Sequence, residues 1–86
     1  MPKISEFFGI AIYMFHREHL PPHFHATYGG EEALISIEDL TLLSGKLPPR
    51  VMGMVIEWGS LHQTELKRVW AQAEAHKPLD RIEPLI

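Results

Sequence analysis

The sequence has no cysteine. That excludes disulfides and thiolate metal ligands, and it fits a reducing cytoplasm, where this chain is expected to work. No stretch approaches the roughly 20 consecutive apolar residues that span a bilayer, so no membrane partner is expected. The opening MPKISEFFGIAIYMF sets one early lysine before an apolar run, but it contains Glu6 and no clear small-residue cleavage site, so a signal peptide is not expected either. Positive charge is also short: eight Lys and Arg against eleven Asp and Glu give a net charge of −3 with the histidines neutral. Broad electrostatic binding to nucleic acid needs a basic surface and is disfavoured, which leaves at most a local basic patch. There is no P-loop, no Gly-x-Ser-x-Gly elbow and no dinucleotide fingerprint. Eighty-six residues offer too little apolar surface for two cores, so residues 1–86 are read as a single domain whose small core leans on a partner chain.

What the sequence does have is a histidine-rich stretch, FHREHLPPHFHATYGG, from Phe15 to Gly30. It holds His16, His19, His23 and His25, four of the six histidines, with a Pro-Pro pair between them and a Gly-Gly turn at its end. The elements around it follow from periodicity. Gly9 to Phe15 is rich in β-branched and aromatic residues and reads as a strand with two apolar faces, Ile10, Ile12 and Met14 on one and Ala11, Tyr13 and Phe15 on the other. Ile4 to Phe8 either begins that strand or forms a separate edge segment. Pro21 and Pro22 favour an extended loop, and either preceding bond suits the cis form. A second strand runs from about His23 to Tyr28, with His23, His25 and Thr27 on one face and Phe24, Ala26 and Tyr28 on the other. Gly29-Gly30 signals a hairpin into a third strand ending at Ile37, and Leu40 to Leu43 suits a short fourth.

Pro48-Pro49 opens a helix. Val51, Val55, Trp58, His62, Leu66, Val69 and Ala73 recur at helical spacing, which predicts one long amphipathic helix from about Pro49 to His76 that stops at Pro78, with Gly59-Ser60 as a place where so long a helix can bend and the sequence leaving open whether it does. The tail, with Leu79, Ile82 and Leu85, either adds an edge strand or packs beneath the helix. The expected fold is α+β: a small antiparallel meander of three to four strands packed by one long C-terminal helix. Strands joined without long crossovers exclude a parallel sheet.

Candidate chemistry rests on the histidines. His23 and His25 leave one strand face together, His19 or His16 can fold over from the loop, and His62 can arrive from the helix with Glu65 as its hydrogen-bond partner. Imidazoles converging on a divalent metal such as zinc, with His19, His23 and His25 as ligands, would lower the pKa of bound water to about 7 and suit hydrolysis. The spacing matches no standard metal motif. A metal-free reading uses His19, His23, His25 and His62 as candidate catalytic acids and bases, with Arg17, Lys46 or Arg50 as the cation that cleavage of RNA requires. A third reading keeps His23 and His25 as half-buried strand residues bonded to backbone or carboxylates, and the charges as solvated loop residues. Trp58 and Trp70 suit core packing better than base stacking.

The succession FFGIAIYMF, EHLPPHFHATYGG, GKLPPR, EWGSLHQTELKRVWAQA and IEPL resembles a family of short, mostly bacterial proteins catalogued as domain of unknown function 4160. The resemblance covers nearly the whole chain. Its most specific part is HLPPHFHA with the following glycine turn, supported by Trp58, His62, Glu65, Leu66 and Trp70 in the helix. Where similar chains carry an acidic residue or asparagine before the first motif histidine, this one has Glu18, and His16 stands outside the pattern. The family carries no established activity. The resemblance implies a neighbouring small protein of the unknown-function type 2442, an arrangement similar to toxin–antitoxin modules. Two functions are therefore expected to compete: a small regulatory or binding module, one half of such a pair or a homo-oligomer, with the histidines as its functional patch; and a small hydrolase or ribonuclease using the histidine cluster, with or without a metal.

Overall fold

Two short turns fold the first part of the chain into hairpins. β1 (Lys3–Phe7) and β2 (Ile10–Tyr13) are joined by Phe8-Gly9, and β3 (His23–Tyr28) and β4 (Glu31–Ser36) by Gly29-Gly30. In both turns the two linking residues have positive φ, 51° and 79° in the first and 57° and 85° in the second. Such turns match the right-handed twist of the flanking strands, and glycine adopts them without a Cβ clash. β5 (Leu42–Gly45) completes an antiparallel sheet in the order β1-β2-β3-β4-β5, followed by α1 (Pro49–Leu61) and α2 (Gln63–Glu74). The computed structural model describes residues 2–16 and 18–86.

The α+β class and the Gly29-Gly30 hairpin are as the sequence predicts, with Tyr28 paired to Glu31 across the turn. The details differ: five strands stand where three to four are expected, and two helices where one is expected. Ile4 to Phe8 does not extend the next strand, because the Phe8-Gly9 turn folds it back as β1. An irregularity in the β1–β2 register between Lys3 and Ser5 lets Ile4 and Ser5 both be buried, which breaks the period of two that marks a strand in sequence. β5 starts later than Leu40, because Leu40 belongs to a turn: its N–H donates to the Ser36 carbonyl at 2.9 Å, and the Thr41 hydroxyl donates to Asp39 Oδ1 at 2.8 Å.

The helix breaks at His62 (φ −123°, ψ 24°) and not at Gly59-Ser60. Gln63 explains the position. Its side-chain amide donates to the carbonyls of Ile37 at 2.7 Å and Glu38 at 2.8 Å, tying the start of α2 to the end of β4. Gly59 has another use. A Cβ there would lie 3.0 Å from Leu40 Cδ2 and 3.7 Å from the Phe24 ring, so its bare backbone lets α1 sit close on the sheet.

One sheet face supplies the core. Ile10, Ile12, Met14, Phe24, Ala26, Ala33, Ile35 and Ile37 pack with Val51, Val55, Trp58, Leu66, Val69 and Ala73 from the helices. Trp58 is the centre, with ring centroids 5.6 Å from both Phe7 and Phe24, and its indole N–H donates to the Glu83 carbonyl at 2.8 Å. The tail forms no strand. It packs instead, with Ile82 buried and its N–H donating to the Ile4 carbonyl at 2.8 Å. The other face of the sheet presents Ala11, Tyr13, Phe15, His25, Thr27 and Leu34, all half-buried. This second apolar row is the opposite side of the strand that reads as apolar on both faces.

Candidate functional site

Strand geometry sends the side chains of His23 and His25 to the same side of β3, and the segment from Glu18 to Pro22 returns over them. The Leu20–Pro21 bond is cis. The Pro22 carbonyl accepts the Ile37 N–H at 3.0 Å and ties that loop end to the end of β4. The Pro21 carbonyl accepts a hydrogen bond from His23 Nδ1 at 2.9 Å. A carbonyl only accepts, so Nδ1 carries a proton, and in the neutral ring the lone pair then lies at Nε2.

That Nε2 atom is buried and has no hydrogen-bond partner among the described residues. Glu18 Oε1 lies 3.5 Å away, close enough for an ion contact but not joined to it by a hydrogen bond. The same oxygen lies 2.5 Å from His25 Nε2, while His25 Nδ1 is 3.1 Å from Glu32 Oε2 on β4. His25 is thus held between two carboxylates, one from the loop and one from the neighbouring strand. The imidazole centroids are 5.3 Å apart. Phe15 meets the His25 ring edge-on at 4.7 Å, and Trp70 of α2 packs against His23 at 5.5 Å. Ligand-capable atoms of Glu18, His23 and His25 all lie within 4.8 Å of one another. A cavity of about 230 Å³, lined by Phe15, Glu18, Trp70, Ala73, Glu74 and His76, adjoins them.

Of the candidate residues, the structure brings together His23 and His25. His19 stands exposed on the loop and is not part of the group; the carboxylate of its neighbour Glu18 takes the third position. His62 lies at the junction of the two helices, its ring 5.6 Å from Trp58 and its Nδ1 2.5 Å from Glu65 Oε1, outside the Glu18–His23–His25 group. His16 stacks on His76 at 6.0 Å and its Nε2 lies 3.1 Å from the Lys77 carbonyl, which ties the loop to the end of α2. Lys46 pairs with Glu31 at 3.6 Å, and Arg50 lines a separate groove with Phe8 and Tyr28. Arg17 lies outside the described residues. Glu18 escapes a reading based on histidine spacing. Its one signal is its place immediately before His19, the first histidine of the HLPPHFHA motif.

A family model described as Domain of unknown function (DUF4160) matches residues 9–71. The chain belongs to this family. The matched span runs from β2 into α2 and contains Glu18, His23, His25, Trp58, His62 and Trp70. No curated protein and no solved structure matches the chain. Among the described residues no helix is long and apolar enough to cross a membrane.

Proposed function

We propose that this protein is a small cytoplasmic regulatory or binding module, one component of a toxin–antitoxin-like pair, acting through a protein interface with the Glu18–His23–His25 group as its functional patch. The observation that carries this reading is the sheet's second face. Both helices bury their apolar residues against the first face, while Ala11, Tyr13, Phe15 and Leu34 form an apolar row on the second. The row ends at Leu34, which faces Ser44 of β5, and β5 is an edge strand whose Leu42 and Leu43 are 50% and 43% exposed. An edge strand offers unpaired backbone donors and acceptors, and an apolar surface of this kind suits a second layer. A twin chain or a small cognate protein would supply that layer. Sedimentation at micromolar concentration, alone and with the co-expressed neighbouring protein, tests it. The expected result is a dimer or a stable heterocomplex that Leu34→Lys or Leu42→Lys disrupts. A clean monomer in both experiments overturns the reading.

A second reading, a small hydrolase or ribonuclease, is favoured by one observation: two imidazoles and a carboxylate converge beside a cavity. Of the candidate cations among the described residues, neither supplies the charge for a phosphate group, since Lys46 is paired elsewhere and Arg50 lines a different groove. RNA cleavage by the purified chain with and without zinc, lost in His25→Ala, is its test.

A further inference from the structure

We propose that Glu18, His23 and His25 bind one divalent first-row transition ion, zinc foremost, through Glu18 Oε1 and the two Nε2 atoms. This goes beyond the binding-module reading and can fail without it.

Three independent features of the group point to a cation. The first is His23 Nε2. The residue is 5% exposed, its Nδ1 is engaged by the Pro21 carbonyl, and its Nε2 is buried with no hydrogen-bond partner among the described residues while facing the Glu18 carboxylate. Buried polar atoms are almost always satisfied, so an orphan at the centre of a ligand-capable group marks a missing partner. The second feature is orientation. Both histidines direct Nδ1 outward to an oxygen, Pro21 O at 2.9 Å and Glu32 Oε2 at 3.1 Å, and both direct Nε2 inward to Glu18. Metal-bound histidines are held this way: an outer carbonyl or carboxylate takes one ring N–H, fixes the tautomer and leaves the other nitrogen free to ligate.

The third feature is spacing. Donor atoms about 2.0–2.1 Å from a tetrahedral zinc ion lie about 3.3 Å from one another. The separations from Glu18 Oε1, 2.5 Å to His25 Nε2 and 3.5 Å to His23 Nε2, bracket that value. A carboxylate oxygen and a ring nitrogen at 2.5 Å share a proton, and an ion taking its place would part them towards about 3.3 Å. A proton satisfies the His25–Glu18 pair alone; an ion satisfies His23 Nε2 as well.

The donor set decides the class of ion. Two imidazoles and one carboxylate, with no thiolate, suit zinc and its first-row neighbours, whereas magnesium and calcium call for oxygen ligands throughout. Three protein ligands leave a fourth position open for water or a small donor molecule. The cavity of about 230 Å³ bounded by Glu18, Trp70 and Glu74 gives that position room.

The test uses the full chain stripped with a chelator and titrated with zinc by calorimetry, and with cobalt(II) by visible absorption to report coordination. The expected result is one zinc ion per chain and the intense bands of a low-symmetry cobalt site. Glu18→Gln is the decisive variant, because this half-exposed loop side chain can change without emptying the core. It is expected to lower zinc affinity by at least tenfold, and Glu32→Gln by about 10-fold through its hold on His25. His19→Ala and His62→Ala are expected to bind as the parent does. The exposed His16–His76 pair is the other place where a zinc ion could lodge. Binding lost in His16→Ala but kept in Glu18→Gln would assign the ion there and overturn the proposal. So would the absence of binding at micromolar zinc, the outcome expected if the charge between Glu18 and His25 is a proton.

Discussion

The molecule holds two histidine–carboxylate pairs of the same length, and they belong to different kinds of place. His62 Nδ1 and Glu65 Oε1 are 2.5 Å apart within three residues of one another, where two helices meet. His25 Nε2 and Glu18 Oε1 are also 2.5 Å apart, but they come from a strand and a loop and have His23 and Glu32 beside them. The first pair is local. Its carboxylate lies in the first turn of α2, where negative charge is favourable against the helix dipole, and the contact satisfies the histidine at the helix start. The second is convergent and leaves a buried nitrogen over. A short histidine–carboxylate contact is therefore no mark of function in itself. An unsatisfied donor atom facing the same carboxylate is what separates a candidate site from a local pair at a helix start.

Zinc gives the largest test of that contrast. At one hundred times its dissociation constant, a ligand that binds only the folded chain stabilises it by about 2.7 kcal/mol. Thermal melts of the parent chain, His62→Ala and Glu65→Gln are expected to gain that stabilisation alike, and Glu18→Gln at the same zinc concentration to gain much less. An equal gain in all four would break the distinction.

In chelator, His23→Ala is expected to cost about 1–3 kcal/mol, because it leaves the Pro21 carbonyl without its donor beneath Trp70. That corresponds to a fall in Tm of roughly 4–8 °C for each kcal/mol in a domain of this size. His62→Ala is expected to cost less, since its loss leaves a half-exposed carboxylate that water can reach. The reverse order would make the helix junction the more demanding of the two places.

Double-mutant cycles sharpen the comparison further. Metal-free, the Glu18–His25 pair is expected to couple by up to about 1 kcal/mol and the Glu65–His62 pair by about 0.3–0.5 kcal/mol, the range of helix-surface pairs. The smallest effect belongs to Asp39, a second local carboxylate. Hydrogen bonds from the side chains of Thr41 and Ser36 hold its carboxyl below the ordinary value in the folded chain. Its contribution is thus present above the unfolded carboxylate value and is lost as the pH falls through the lower, folded value. Asp39→Asn is expected to flatten slightly the acid limb of Tm against pH, with little change near neutrality, because the group is fully exposed.

Wherever a residue's role depends on its near neighbours in the chain, the sequence by itself determined the outcome. Gly29-Gly30 accepts positive φ, so the hairpin that puts His23 and His25 on one strand face follows from two glycines. Val51, Val55, Trp58, Leu66, Val69 and Ala73 recur at helical spacing, and every one is buried. His62 and Glu65, three apart on that stripe, are bonded as their spacing predicts. Tertiary structure alone decided the rest. The helix breaks at His62 because Gln63 bonds carbonyls at the end of β4, about which no helix propensity carries information. Ile4 and Ser5 are both buried because a strand irregularity turns them inward, which hides β1 from a period-two reading. Glu18 joins His23 and His25 in place of His19 because the path from Glu18 to Pro22 sets which side chain lies over the strand. Spacing along an irregular loop carries no fixed direction, whereas spacing along a strand or helix does.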